Sequence, residues 1–179
     1  MNKETCQVAL TALELAMEEE RQGNAFYSQA AERVQDPMGK AVFQALAKDE
    51  IKHLHLLQAQ HEKLSADQEW MELDEALVCE PRTPIDIYPD KRDAALMIPG
   101  EASDLDALAL AMDLEQKGYD LYAKAGAETD DPAGKKVFAF LAKQENEHYV
   151  FLQKTKEYLS TEGAWYFEEQ EFPMFDGAR

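Results

Sequence analysis

The sequence is short of cysteine, of basic residues and of long apolar runs, and each shortage excludes a class of protein. Its two cysteines, Cys6 and Cys79, form no CxxC pair, so zinc-ribbon, rubredoxin and thioredoxin motifs are absent. Two distant thiols fit a reducing compartment better than a disulfide framework. Lysine and arginine number 18 against 36 aspartates and glutamates, a formal net charge of −18. That balance leaves no basic footprint for nucleic acid and would repel an anionic membrane surface. No uncharged apolar run approaches the roughly 18 residues of a spanning helix. The first stretch is broken by Glu14 and Glu18, so no signal-peptide core is expected. These shortages predict a cytoplasmic protein that binds neither nucleic acid nor membrane. What is present is globular: 45% of the 179 residues are hydrophobic and 30% are charged. A chain of this length buries about 70% of its unfolded surface. The acidity itself has two readings, solubility or the handling of cations.

The chain also repeats itself. A shift of 95 residues carries Asp36-Pro37 onto Asp131-Pro132, Val42-Phe43 onto Val137-Phe138, Leu46-Ala47-Lys48 onto Leu141-Ala142-Lys143 and Trp70 onto Trp165. Between residues 10–70 and 105–165, 27 of 61 aligned positions are identical without a gap, which marks an internal duplication. Each half reads as two helices. The first spans about 5–34, with Thr5 as a weak cap. Asp36-Pro37, an N-cap followed by proline at the first helical position, opens the second, which runs to about Leu64. The third spans about 104–128, opened by Ser103 and Asp106 in the manner of a capping box. Asp131-Pro132 opens the fourth, which ends near Leu159. Residues 65–103 contain four of the seven prolines, Pro81, Pro84, Pro89 and Pro99. They suit a crossover along the length of a bundle, with a short helix between Trp70 and Leu77. The tail, 160–179, carries Trp165, Tyr166, Phe167, Phe172 and Phe175, and packs either on its own bundle or on a partner chain.

Charges interrupt the core stripes. Spacings of three and four run through Leu10, Leu13, Met17, Glu20, Asn24 and Tyr27, and through Leu105, Leu108, Met112, Glu115, Tyr119 and Tyr122. The other two helices give Phe43, Leu46, Glu50, His53 and Leu57, and Phe138, Leu141, Glu145, His148 and Leu152. Such spacing marks the inward face of a packed helix. A buried, unpaired carboxylate is costly or titrates to neutrality, and four together also repel. No lysine or arginine in these stripes is placed to neutralise them, whereas two divalent cations would be. Residues three apart on a helix share a face about 4.5 Å along the axis, so the carboxylate and imidazole of each Glu-x-x-His can meet one ion, or the carboxylate can bridge to its neighbour. One Glu from each of two helices and one Glu-x-x-His from each of the other two is the ligand set of di-iron and di-manganese bundles. Carboxylate with imidazole suits iron, manganese or zinc. Tyr27 and Tyr122, two turns beyond Glu20 and Glu115, are read either as hydrogen-bond donors to the carboxylates or as core packing. His55 and His61 lack counterparts in the second half and read as surface residues. Gly23 and Gly118, three after each core glutamate, suggest close approach by a neighbouring helix backbone.

At these residues the chain resembles the ferritin-like superfamily, and within it the di-iron domain of the rubrerythrin family. The matching segments are Glu20-Arg21-Gln22-Gly23 through Tyr27, Asp49-Glu50-Ile51-Lys52-His53, Glu115-Gln116-Lys117-Gly118 through Tyr122, and Glu145-Asn146-Glu147-His148. The resemblance covers about residues 5–160. It implies an all-α, ferritin-like four-helix bundle holding two iron ions that react with peroxide or oxygen. By the same resemblance Glu20 and Glu115 are terminal or bridging ligands, Glu50 and Glu145 bridge the metals, and His53 and His148 each cap one. Two features differ from the family pattern. The CxxC pairs of a rubredoxin-like domain are absent, and Gly118 stands where a further glutamate is usual. Six ligands rather than seven are left, closer to ferritin. Three functions follow as expectations: a peroxide- or oxygen-reducing oxidoreductase drawing electrons from an external rubredoxin-like donor, an iron-binding or ferroxidase-type metal handler, or a scaffold with a structural metal. A homodimer, the commonest homo-oligomer, is the default assembly.

Overall fold

The computed structural model describes residues 3–79, 82–83 and 98–165. Four long helices, α1 (Lys3–Arg33), α2 (Pro37–Asp67), α4 (Asp104–Glu128) and α5 (Pro132–Glu162), form the bundle, with a single-turn α3 (Leu73–Ala76) after α2. No strand occurs among the described residues. The architecture is therefore the expected all-α bundle.

Local chemistry places the helix ends. Asp36 Oδ1 accepts from the backbone N–H groups of Met38 (2.8 Å) and Gly39 (3.2 Å). Asp131 Oδ1 does the same for Ala133 (2.9 Å) and Gly134 (3.4 Å). Each cap satisfies two of the orphan donors of a helix start, and proline at N1 has no N–H to lose. Ser103 and Asp106 form the reciprocal capping box in full. Two boundaries differ from expectation. Thr5 lies inside α1, because the helix already begins at Lys3. Helices α2 and α5 each run three residues beyond Leu64 and Leu159, to left-handed caps at Gln68 (φ 55°) and Gly163 (φ 68°). These caps are 95 residues apart, so the duplication extends to the turns that end the helices. Their last helical turns are polar, which is why the apolar period stops short of them.

Short connections make α1 and α2 one hairpin and α4 and α5 another. The crossover leaves the end of α2, where the buried Gln60 side chain holds Met71 by both backbone groups (2.9 and 3.0 Å). Trp70 there stacks edge-on to Phe138, near the start of α5. It returns at the opposite end, where Arg33 donates to the carbonyls of Ile98 and Pro99 (2.8 Å each). A 31-residue helix such as α2 is about 46 Å long, so the described ends of the crossover lie at opposite ends of the bundle, and α1 runs antiparallel to α4.

The duplication appears as a pseudo-twofold axis. Trp165 packs edge-on to Phe43 (5.6 Å) and over Gly39, and Trp70 packs edge-on to Phe138 (5.6 Å) and over Gly134. A Cβ on Gly39 would lie 2.4 Å from the Trp165 ring, and one on Gly134 2.7 Å from the Trp70 ring. Trp165 thus packs on its own bundle; the other four tail aromatics lie outside the described residues. The apolar core divides in two. One part holds Leu13, Met17, Leu57, Trp70 and Phe138; the other holds Phe26, Phe43, Leu46, Leu108 and Trp165. The buried glutamates and histidines lie between them.

One tryptophan anchors each half of this core. Truncating a large buried aromatic costs roughly 3–5 kcal/mol. Trp70→Ala and Trp165→Ala should each lower stability by that order in urea melts. Because the two sites sit in separate core clusters at opposite ends, the double variant should lose the sum of the single losses.

Candidate metal centre

All six residues singled out by the stripes converge in the middle of the bundle. Glu20 lies on α1, Glu50 and His53 on α2, Glu115 on α4, and Glu145 and His148 on α5, and none is more than 4% exposed. Their potential ligand atoms fall into two overlapping groups. Glu20, Glu50, His53 and Glu145 form one, and Glu50, Glu115, Glu145 and His148 the other, with all donor atoms of a group within 4.8 Å of one another. Glu50 and Glu145 belong to both groups. Both imidazoles turn Nδ1 inward. His53 Nδ1 stands 3.4 Å from Glu20 and 3.2 Å from Glu145. His148 Nδ1 stands 3.4 Å from Glu115 and 3.9 Å from Glu50. The rings stack with centroids 5.7 Å apart.

The tyrosines reach across the duplication. The Tyr27 hydroxyl donates to Glu115, and the Tyr122 hydroxyl to Glu20. Each phenol thus serves the carboxylate of the other half, which sequence spacing along one helix did not indicate. Gly23 and Gly118 make room for carboxylates rather than for a helix backbone. A Cβ at 23 would meet Glu50 Oε2 at 2.8 Å, and one at 118 would meet Glu145 Oε2 at 3.2 Å. Beside these glycines a small cavity opens between α1 and α4. The four glutamates and two tyrosines line it and the two histidines do not. Its open volume is about 20 Å³, room for roughly one water-sized molecule.

Other stripe residues sort differently. Asn24 is buried and donates to the Ala47 carbonyl (2.7 Å), tying α1 to α2. Tyr119 is 39% exposed, and Gly118 takes the inward place instead. At about 100° per residue an assignment one position out still looks periodic over two turns. His55 and His61 are half-buried rather than fully exposed, and His61 stands 3.5 Å from Glu14, away from the cluster. One polar contact was not foreseen. Asp49, 2% exposed, places Oδ2 3.5 Å from His148 Nε2 and holds Lys52 at 2.7 Å on Oδ1. Its position, about 100° around the helix from Glu50, hides it from any reading of the stripe.

The electrostatics are those of a crowded, buried site. Burial pushes the Glu50 and Glu145 carboxyls well above their usual range, and the charges of Glu20 and Glu115 respectively push them the same way. Burial acts likewise on Glu20 and Glu115, but His53 and His148, together with hydrogen bonds from the shared carboxyls and from Tyr122 and Tyr27, outweigh it and hold both below the usual range. For the imidazoles burial favours the neutral form, yet the neighbouring carboxylates win, Glu20 raising His53 and Glu115 with Asp49 taking His148 to about 10. Burial and then the Glu115 and Glu20 charges push the Tyr27 and Tyr122 hydroxyls well above 10, so both remain donors. Among the protein groups alone, Glu50 and Glu145 are thus pushed toward the protonated form, and Glu20 and Glu115 toward the carboxylate form opposite an imidazole.

Comparison with known families gives one match: the rubrerythrin family model fits residues 11–156. No curated protein and no solved structure matches the chain.

The raised imidazoles give the metal-free protein a pH signature. A histidine lifted from about 6.5 to about 10 contributes stability that is complete below 6.5 and lost as pH rises through 10. Glu50 and Glu145, also raised, act in the same direction. Chelator-treated protein should therefore lose melting temperature steadily from pH 6.5 to 10, and His148→Gln should flatten that slope.

Proposed function

The chain belongs to the rubrerythrin family, and on that premise we propose that it is a non-haem di-iron carboxylate enzyme. It reduces hydrogen peroxide, or oxygen, with electrons from an external donor such as a rubredoxin-like protein. The observation that carries this reading is the pair of overlapping ligand groups sharing Glu50 and Glu145. Two adjacent positions with two common carboxylates are what a bridged metal pair requires. The donor set fits two iron ions. One oxygen each of Glu20, Glu50, Glu115 and Glu145 is buried without a hydrogen bond, and four carboxylates balance two divalent charges. Glu20 and His53 would hold one ion and Glu115 and His148 the other, with Glu50 and Glu145 between them. Manganese or zinc would satisfy the same donors.

Two iron(II) ions supply two electrons when bound, the number needed with two protons to turn one peroxide into two waters. The protein's own groups set the conditions for that reaction. Tyr27 and Tyr122 fix the outer carboxylates, as second-layer donors commonly do for ligands. The cavity between α1 and α4 is lined by the shared carboxylates and has room for a molecule of about water size. A small substrate such as peroxide or oxygen fits that space. The histidines and the two apolar core clusters close the remaining sides against bulk water.

A second reading is metal handling without peroxidase turnover. The net charge of −18 and the glycine at position 118 favour it, since six ligands are closer to the ferritin set. Metal content separates the possibilities. After anaerobic loading with iron(II) and desalting, the wild type should retain two irons per chain and Glu50→Ala/Glu145→Ala clearly fewer. Rapid mixing of the loaded protein with peroxide should then oxidise the iron faster than free iron(II) is oxidised. Retention of far more than two irons after aerobic loading would favour the handling role. No retained iron at all would remove the metal centre and both readings with it.

A further inference from the structure

The cavity beside Gly23 and Gly118 has a rim. Of the ten residues that line it, eight are buried, the four glutamates and two tyrosines among them. The other two, Glu19 on α1 and Leu114 on α4, are half-buried and stand where the cavity meets solvent. They are the same position in the two halves, 95 residues apart. The axis that relates Tyr27 to Tyr122 and Gly23 to Gly118 therefore relates an acid to a hydrocarbon at the rim.

Glu19 also differs from its neighbours on α1. Glu18 is engaged by Arg21 and Gln22, at 3.4 Å each. Glu20 accepts from Tyr122 and belongs to a ligand group. Glu19 belongs to neither ligand group, and among the described residues it has no hydrogen bond and no ion pair. The charge of Lys117 reaches it from α4, and the charges of Glu20 and Glu18 act the opposite way. A half-buried carboxylate in that position gives up part of its hydration and gains no hydrogen bond. A cation arriving from solvent would supply the missing partner. It would then meet Glu20, Glu50, Glu115 and Glu145, which line the same cavity. Peroxide and oxygen are neutral, so the charge of Glu19 does not attract them.

Resting on the metal-centre reading above, we propose that Glu19 is the entry carboxylate of the centre: a divalent cation is captured on the α1 side of the rim and passes through the cavity to the shared carboxylates. Glu19 sets how fast the centre fills and not how many ions it holds. Charge placed at the mouth of a cleft raises the association rate of an oppositely charged ligand by about 10- to 1,000-fold.

Stopped-flow mixing of the metal-free full chain with cobalt(II), a divalent probe that takes the same donors, reads filling without turnover. The visible absorption of the ion changes as carboxylate and imidazole replace water. The wild type should fill to two ions per chain. Glu19→Gln keeps the shape and removes the charge, so it should fill roughly tenfold more slowly, the low end of such steering, and still reach two. Adding Leu114→Glu to that variant puts a carboxylate on the α4 side of the rim and should restore the rate. Glu14→Gln makes the same change of net charge on the exposed face of α1, at a side chain 59% exposed, and should fill at the wild-type rate. Filling of Glu19→Gln at the wild-type rate, or equal slowing by Glu14→Gln, would overturn the entry role and leave the metal centre intact. Fewer than two ions in Glu19→Gln would make Glu19 a ligand and overturn it as well. No bound cobalt in the wild type would overturn the metal-centre reading itself, and the entry role with it.

Discussion

Four carboxyl groups in the buried middle of a helical bundle set the terms for everything around them. An ionised carboxylate there costs far more than any single packing contact returns, unless a cation or a proton answers it. The protein's own groups answer with two imidazoles and with carboxyls at Glu50 and Glu145 shifted toward their protonated form. The remaining features serve the same end. Phenols donate to the outer carboxylates, glycines leave space for the shared ones, and an apolar cluster on each side keeps water from screening the cluster. A pair of divalent cations would satisfy this arrangement with the protons released, since metal binding and ligand deprotonation are coupled.

The geometry that gathers these groups follows from two helix hairpins laid antiparallel to one another. A single hairpin brings Glu20 near Glu50 and His53, or Glu115 near Glu145 and His148. It cannot bring Tyr27 to Glu115 or Tyr122 to Glu20, because those contacts cross from α1 to α4. The crossover makes this docking possible by returning the chain to the end of the bundle where α1 finished. Arg33 secures its arrival, and Gln60 its departure.

Much of this was legible in the residues alone, for identifiable reasons. The stripes exposed the six core groups because a period of three and four is a geometric statement about one helix face, and charges on that face stand out. The duplication strengthened the reading, since a chance Glu-x-x-His does not recur 95 residues later beside a matched glutamate. Capping aspartates and prolines placed the starts of α2 and α5 to the residue. Contacts between helices were not legible in the same way. The crossed tyrosines, the carboxylates over Gly23 and Gly118, and Asp49 behind His148 all depend on which helix lies opposite and at what height, and a single-helix period carries no information about either. Tyr119 was drawn inward because the period tolerates an error of one residue, while the packing of Gly118 against Glu145 does not.

The crossed phenols carry a consequence for inheritance. Because each half completes the other's carboxylate, two separate copies of one hairpin could have built the same centre as a symmetric pair. In such a pair every substitution appears twice, and the two sides of the centre are bound to remain identical. Joining the copies in one chain removes that bond. A change at residue 19 no longer compels a change at residue 114, and the halves of an originally even centre are free to take up different tasks while the scaffold that holds them stays the same.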